Sequence, residues 1–217
     1  MLITIAIVSQ RAVALKPIEL DHITAAALPL AGGAASLMAQ AIDPQPGQVV
    51  LVNGASGGVG RYAVQLLSRR GVTVVATATA DDADRMRELG AAQVVDFTAG
   101  PVAEQVLALY PDGIDGLINL VGWTLDAVPV DALRAGAAVS STTQVPDADA
   151  IAARGLTGGG IMASPTSDVF GPLAESAARG DLHVDVFRVV ALHEALDGLA
   201  ELASGRSRGK IVVDLTR

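Results

Sequence analysis

One stretch constrains this chain more than any other: the strand-like run Val49-Val50-Leu51-Val52-Asn53, followed at once by Gly54-Ala55-Ser56-Gly57-Gly58-Val59-Gly60. An apolar, β-branched run of this length reads as a strand buried on both faces. A glycine-rich turn that leaves such a strand and opens a helix reads as an anion cradle. Its glycines let the backbone reverse sharply and bring N–H groups up to a phosphate, and the helix N-terminus adds a partial positive charge. Gly60 is the position that would let the helix pack closely on the strand.

Around this unit the pattern alternates regularly. Strands are expected at 49–53, 73–78, 93–96, 116–121, 137–141 and 159–163, with helices at 58–70, 82–89 and 102–109. Such alternation predicts an α/β chain, a doubly wound Rossmann fold with a six-stranded parallel sheet in the order 3-2-1-4-5-6. Before it, 2–8 and 12–15 read as strands. Asp21 is a helix cap, Pro29 a stop, and 31–42 a small-residue helix. After it come a helix at 172–178, a strand at 184–190, a helix at 194–203 and a closing strand at 210–215. The division expected is 1–30 as a remnant and linker, 31–182 as the dinucleotide-binding domain, and 183–217 as a return segment.

Composition narrows the function. A net charge of −8 and an aromatic content of 3% argue against nucleic acid, which requires cations for phosphates and platforms for bases. The opening apolar run is too short for a membrane span and lacks a basic flank, so neither a membrane nor a targeting segment is expected, and the location expected is cytoplasmic. There is no cysteine, and His22, His183 and His193 have no metal-ligand spacing, so no zinc or other metal is expected.

The turn admits two spacings. Ala55-x-Gly57-x-x-Gly60 is a dinucleotide fingerprint with Ala in first place, whereas Gly54-x-x-x-Gly58-x-Gly60 resembles the short-chain dehydrogenases. The latter also require a Tyr followed four residues later by Lys. Tyr62 is followed by Leu66 and Tyr110 by Ile114, which rejects that reading.

Four segments instead carry a resemblance to the medium-chain dehydrogenase/reductase superfamily, in its zinc-independent quinone oxidoreductase branch. They are the lead-in Ala25-Ala26-Ala27-Leu28-Pro29-Leu30-Ala31-Gly32, the strand and turn from Gln45 to Gly60, Glu88-Leu89-Gly90-Ala91 with Val94-Val95-Asp96-Phe97, and the closing run from Gly205 to Val213. The resemblance implies a cofactor-binding domain and hydride transfer to a quinone, enone or similar carbonyl substrate. It also implies a homodimer through the edge of the sixth strand. Members of this family begin with a GroES-like β domain; here 2–20 resembles only its last strands, and most of that substrate domain is expected to be missing. A cofactor-binding domain without activity of its own is therefore the rival expectation, and a structural or regulatory oligomerisation partner a third.

In NAD-binding folds of this kind an acidic residue about 20 positions past the turn holds the ribose 2′-hydroxyl. The matching position is Thr77, so NADP(H) is expected over NAD(H). Asp81 and Asp82 read as helix-capping charge, and Arg61 and Arg85 as solvated helix residues with phosphate binding as the alternative. The remaining cofactor positions expected are Ala55, Ser56, Gly57, Gly58, Val59 and Gly60 in the turn, and Phe97 beside the adenosine half. Val121, Gly122, Ser140, Ser141 and Thr142 are expected at the ribose and nicotinamide, with Met162 and Ala163 flanking the nicotinamide. Lys210 reads as a solvated strand-edge residue within reach of the cofactor. No catalytic residue is named, because in such enzymes the cofactor carries the chemistry.

Overall fold

The computed structural model describes residues 8–124, 127–143, 148–205 and 207–217. Six strands, β1 (Val49–Asn53), β2 (Thr73–Ala78), β3 (Gln93–Asp96), β4 (Ile114–Asn119), β5 (Leu133–Ser141) and β6 (Thr157–Gly160), form one sheet. Its order is 3-2-1-4-5-6, and every pairing is parallel. The helices are α1 (His22–Ala27), α2 (Pro29–Ile42), α3 (Gly60–Ser68), α4 (Ala83–Glu88), α5 (Val102–Leu109), α6 (Ala148–Ala153) and α7 (Ser167–Ala178). This is the doubly wound Rossmann fold that the alternation predicts.

Strand parity explains why the central strands are apolar throughout. Val50, Val52, Val74, Ala76 and Ile118 point into one core layer with Met38 of α2, Leu67 of α3 and Leu173 of α7. The residues between them, Leu51, Val75 and Leu117, point into the opposite layer with Val106 of α5 and Ile151 of α6. Each fully buried Val, Leu or Ile contributes about 1.5–3 kcal/mol relative to exposure, so both layers are needed to hold the sheet. Asp21 caps α1, its carboxylate accepting from the Thr24 N–H at 2.9 Å. Pro29 occupies the first turn of α2, where its missing N–H costs nothing, so it begins that helix as well as ending α1.

Some expectations fail locally. Residues 12–15 form no strand. They follow a short 3₁₀ turn at Gln10–Ala12 and find no ladder partner among the described residues. The strand expected at 2–8 lies, but for Val8, outside the described residues. The sixth strand starts and ends earlier than 159–163, because its ladder with β5 runs from Ala138↔Thr157 to Ser141↔Gly160. Helix α6, in the crossover between β5 and β6, was not expected.

The tail forms β7 (Val186–Ala191), α8 (Ala195–Ala203) and β8 (Lys210–Asp214). Strands β7 and β8 pair in parallel as a separate two-stranded sheet. Among the described residues no helix is long and apolar enough to cross a membrane.

Candidate functional site

The sheet order reverses beside β1, whose neighbours are β2 and β4, and ligands bind such folds outside the carboxyl ends of the strands at that point. A cleft of about 690 Å³ opens there. Its floor is Asn53, Gly54, Ser56, Gly57, Gly58 and Thr77; Phe97 and Val102 form one wall, and Leu120, Val121 and Ala127 another. Leu202, Gly205 and Ser207 reach over it from the tail.

The turn is built as a cradle. A Cβ on Gly60 would lie 2.3 Å from the Gly54 carbonyl oxygen and 2.5 Å from the Ala55 Cα, so only glycine lets α3 begin this close to the turn. Ala55 and Gly60 are buried and Val59 packs against the core, while Ser56, Gly57 and Gly58 face the cleft. The backbone N–H groups of Ser56, Gly58 and Val59 have no protein acceptor among the described residues. Thr77 is buried, and its Oγ1 accepts from the Gly54 N–H at 2.8 Å, tying the end of β2 to the start of the turn.

Lys210 completes this corner. Its Cδ lies 2.8 Å from where a Cβ on Gly58 would stand, so the lysine stem crosses directly over the cradle. Its Nζ has no hydrogen-bond or ion-pair partner among the described residues, and burial pushes its pKa down. Lys210 is thus partly desolvated over the turn, rather than a solvated strand-edge residue.

Arg61 is buried rather than solvated. It is 5% exposed and each of its three guanidinium nitrogens is hydrogen-bonded. Nη2 donates to both carboxylate oxygens of Asp82 at 2.8 and 2.7 Å, Nη1 to Asp185 at 2.9 Å, and Nε to the Ser56 carbonyl at 2.9 Å. Asp82 accordingly makes no side-chain cap for α4; its carboxylate is Arg61's bidentate partner. Arg85 is committed to Asp185 and Glu88. Just past the end of β2, Arg208 of the tail pairs with the exposed Asp81 at 3.7 Å.

Across the sheet the expected residues are less well gathered. Phe97 and Val121, each about half exposed, line the cleft. Ser140 and Ser141 are completely buried, because β5 is flanked by β4 and β6 and covered on both faces. Ser141 joins a buried polar relay in which Asn53 Nδ2 donates to Asn119 Oδ1 (3.0 Å) and Asn119 Nδ2 donates to Ser141 Oγ (3.0 Å). The Ser140 hydroxyl is buried without a partner among the described residues. Thr142 is partly open, Met162 is 79% exposed, and neither they, Gly122 nor Ala163 line the cleft. Asn53, Val102, Leu120, Ala127, Leu202, Gly205 and Ser207 also line it and are not among the expected residues. Asn53 ends the strand before the turn and was readable by position; the tail residues come from more than 140 positions away and left no local signal.

Comparison with known proteins decides the family. Residues 89–213 match the family described as zinc-binding dehydrogenase. The chain belongs to this family, within the medium-chain dehydrogenase/reductase superfamily. The mouse mitochondrial NAD(P)H oxidoreductase RTN4IP1 is 29% identical, over 96% of this chain and 60% of its own length. YhfP of Bacillus subtilis, named for quinone oxidoreductase activity, is 28% identical over 80% of this chain and 56% of its own. The solved quinone oxidoreductase of Coxiella burnetii superimposes with a TM-score of 0.84 at 25% identity, covering 92% of this chain and 63% of that one. The chain therefore spans about three fifths of the length of these dehydrogenase-family relatives. For the metal in the family's description, the donor set does not fit. The chain has no cysteine, and among the described residues no three His, Asp or Glu side chains are grouped to hold an ion.

Proposed function

We propose that the cleft binds NAD(P)H and that the protein is a zinc-independent oxidoreductase of the quinone, enone or small-carbonyl class. The observation that carries this reading is the pairing of opposites in the cradle. Among the described residues three backbone N–H groups of the turn lack acceptors, and Lys210, whose stem crosses Gly58 beside them, is partly desolvated with no counter-ion; a bound pyrophosphate would supply what each lacks. The names of the mouse and Bacillus relatives and of the Coxiella structure support the reaction class.

When bound, the nicotinamide supplies the hydride, so the protein's part is binding, orientation and exclusion of water. Ser56, Gly58 and Val59 would hold the pyrophosphate through their N–H groups, with Lys210 as its cation. Phe97 would pack on the adenosine half. Thr77 places no carboxylate at the ribose position of β2, which supports NADP(H) over NAD(H). Arg61 and Arg85, already held by carboxylates, are left out of phosphate binding. No group touching the hydride acceptor is assigned.

A second reading, a cofactor-binding domain without turnover of its own, is favoured by two large apolar side chains that stand in solvent past the carboxyl ends of the strands. Trp123 and Met162 stand 78% and 79% exposed beyond the ends of β4 and β6. Further expectations go with the first reading: a homodimer through the free edge of β6, and a cytoplasmic location, against which stands the mitochondrial one in the mouse relative's name. The deciding experiment is NADPH oxidation by the purified protein across a panel of quinones and enones. Turnover establishes the oxidoreductase. Tight NADPH binding without turnover leaves the second reading.

A further inference from the structure

Asp185, in the segment that leads into β7, lines no part of the cleft, yet it sits at the centre of a closed circuit of contacts around the cradle. Its carboxylate accepts from Arg61 Nη1 at 2.9 Å and from Arg85 Nη2 at 2.6 Å, and lies 3.1 Å from His183 Nε2. Its backbone carbonyl accepts from the Lys210 N–H at 2.9 Å. Gly209 makes that contact possible. Its φ is +133°, and a Cβ there would lie 2.6 Å from the Asp185 carbonyl oxygen. From the other side, Arg61 belongs to the cradle helix α3 and its Nε holds the Ser56 carbonyl. The path runs from cradle to Arg61, to Asp185, to Lys210, and back over Gly58 of the cradle.

We propose that Asp185 is a positioning residue for the cofactor, acting through Lys210. Fixed by Arg61 and Arg85, it holds the first residue of β8 where the lysine stem must cross Gly58. The proposal rests on the reading of the cleft as a dinucleotide site. The alternative is that the ion pairs merely fasten the tail to the domain. The two differ in one respect: a residue acting through Lys210 has nothing left to contribute once Lys210 is gone, whereas a general fastening contributes regardless.

The test is a double-mutant cycle on NADPH affinity, read by titrating the cofactor's fluorescence at fixed ionic strength. Removing the ammonium in Lys210→Met keeps the stem and is expected to weaken NADPH about tenfold or more, the usual scale of a charge-assisted contact. Asp185→Asn is expected to weaken it about fivefold, and the double variant to stay within about twofold of Lys210→Met. Both single variants should also flatten the dependence of affinity on salt, since each removes the same phosphate contact. Asp185→Asn with wild-type affinity, or a double variant that loses the product of the two single factors, overturns the proposal. Should Asp185→Asn fail to fold, Arg85→Gln trims the same clamp at its more exposed arm. It is expected to weaken NADPH about twofold in the wild-type background and not at all beside Lys210→Met, and an equal loss in both backgrounds overturns the proposal. If the wild type binds neither NADPH nor NADH, the dinucleotide reading itself fails and the role of Asp185 falls with it. Binding with additive losses rejects the positioning role alone.

Discussion

The two halves of the cleft are built differently. Around β1, β2 and α3 the cradle is closed by directed contacts: Thr77 Oγ1 takes the Gly54 N–H, Arg61 takes the Ser56 carbonyl, and Lys210 lies over Gly58. Across β4, β5 and β6 the expected residues are either sealed in the sheet, as Ser140 and Ser141 are, or left standing in solvent, as Met162 is. A phosphate site is a local invention of one strand, one turn and one helix, completed by a few long-range ties. The far side, where the proposed nicotinamide and acceptor would sit, is bounded by the open ends of the strands, and the chain spans only about three fifths of its relatives' length.

The sharpest way to break this contrast is at Arg61. Arg61→Met leaves Asp82 and Asp185 without their shared partner in largely buried surroundings. It should cost about 3–5 kcal/mol of stability, measured by urea unfolding, together with most of the NADPH affinity. A loss below about 1 kcal/mol would mean that the network is dispensable and the cradle self-sufficient. Next is Gly60→Ala, whose methyl has no room against Gly54 and Ala55. A loss of about 1–3 kcal/mol is expected, with affinity falling because the N–H groups move.

Acid provides a milder probe of the same ties. Burial pushes the Asp185 carboxyl up, but hydrogen bonds and charge from Arg85 and Arg61 outweigh it and hold the group below the usual carboxylate range. A carboxyl depressed in the folded state contributes stability that is complete above its unfolded value, near 3.8, and lost as pH falls through its folded value. The Tm of the wild type should therefore drop more steeply below about pH 4 than that of Asp185→Asn, and parallel curves would remove Asp185 from the account. The smallest effect is expected in the other half. Ser140→Ala deletes a buried hydroxyl that has no partner among the described residues, so stability should rise by up to about 1 kcal/mol with NADPH affinity unchanged. A fall in affinity would return Ser140 to the site.

The same division governs what the sequence disclosed. Strands Val49–Asn53, Thr73–Ala78 and Gln93–Asp96 were legible to the residue, because a β-branched run bounded by turn residues is a local signal. So were the turn and its glycines. Arg61 was misread as solvated because its partners, Asp82 and Asp185, stand 21 and 124 positions away. Lys210 was misread for the same reason, its contact with Gly58 depending on a tail that folds back over the turn. At Ser140 and Ser141 the strand was correctly located, but burial on both faces follows from β6 and the helices, which one strand's pattern does not reveal. The expected strand at 12–15 has no ladder partner among the described residues, and an apolar run alone does not supply one.

The central claim is that the cradle binds a nicotinamide dinucleotide, and the most direct test is thermal unfolding with and without cofactor. A ligand bound by the native state alone at about a hundred times its Kd adds about 2.7 kcal/mol. For a chain of this size that corresponds to a rise in Tm of about 5–10 °C. The account predicts such a rise with NADPH and a smaller one with NADH at the same concentration. An unchanged Tm with both would contradict it.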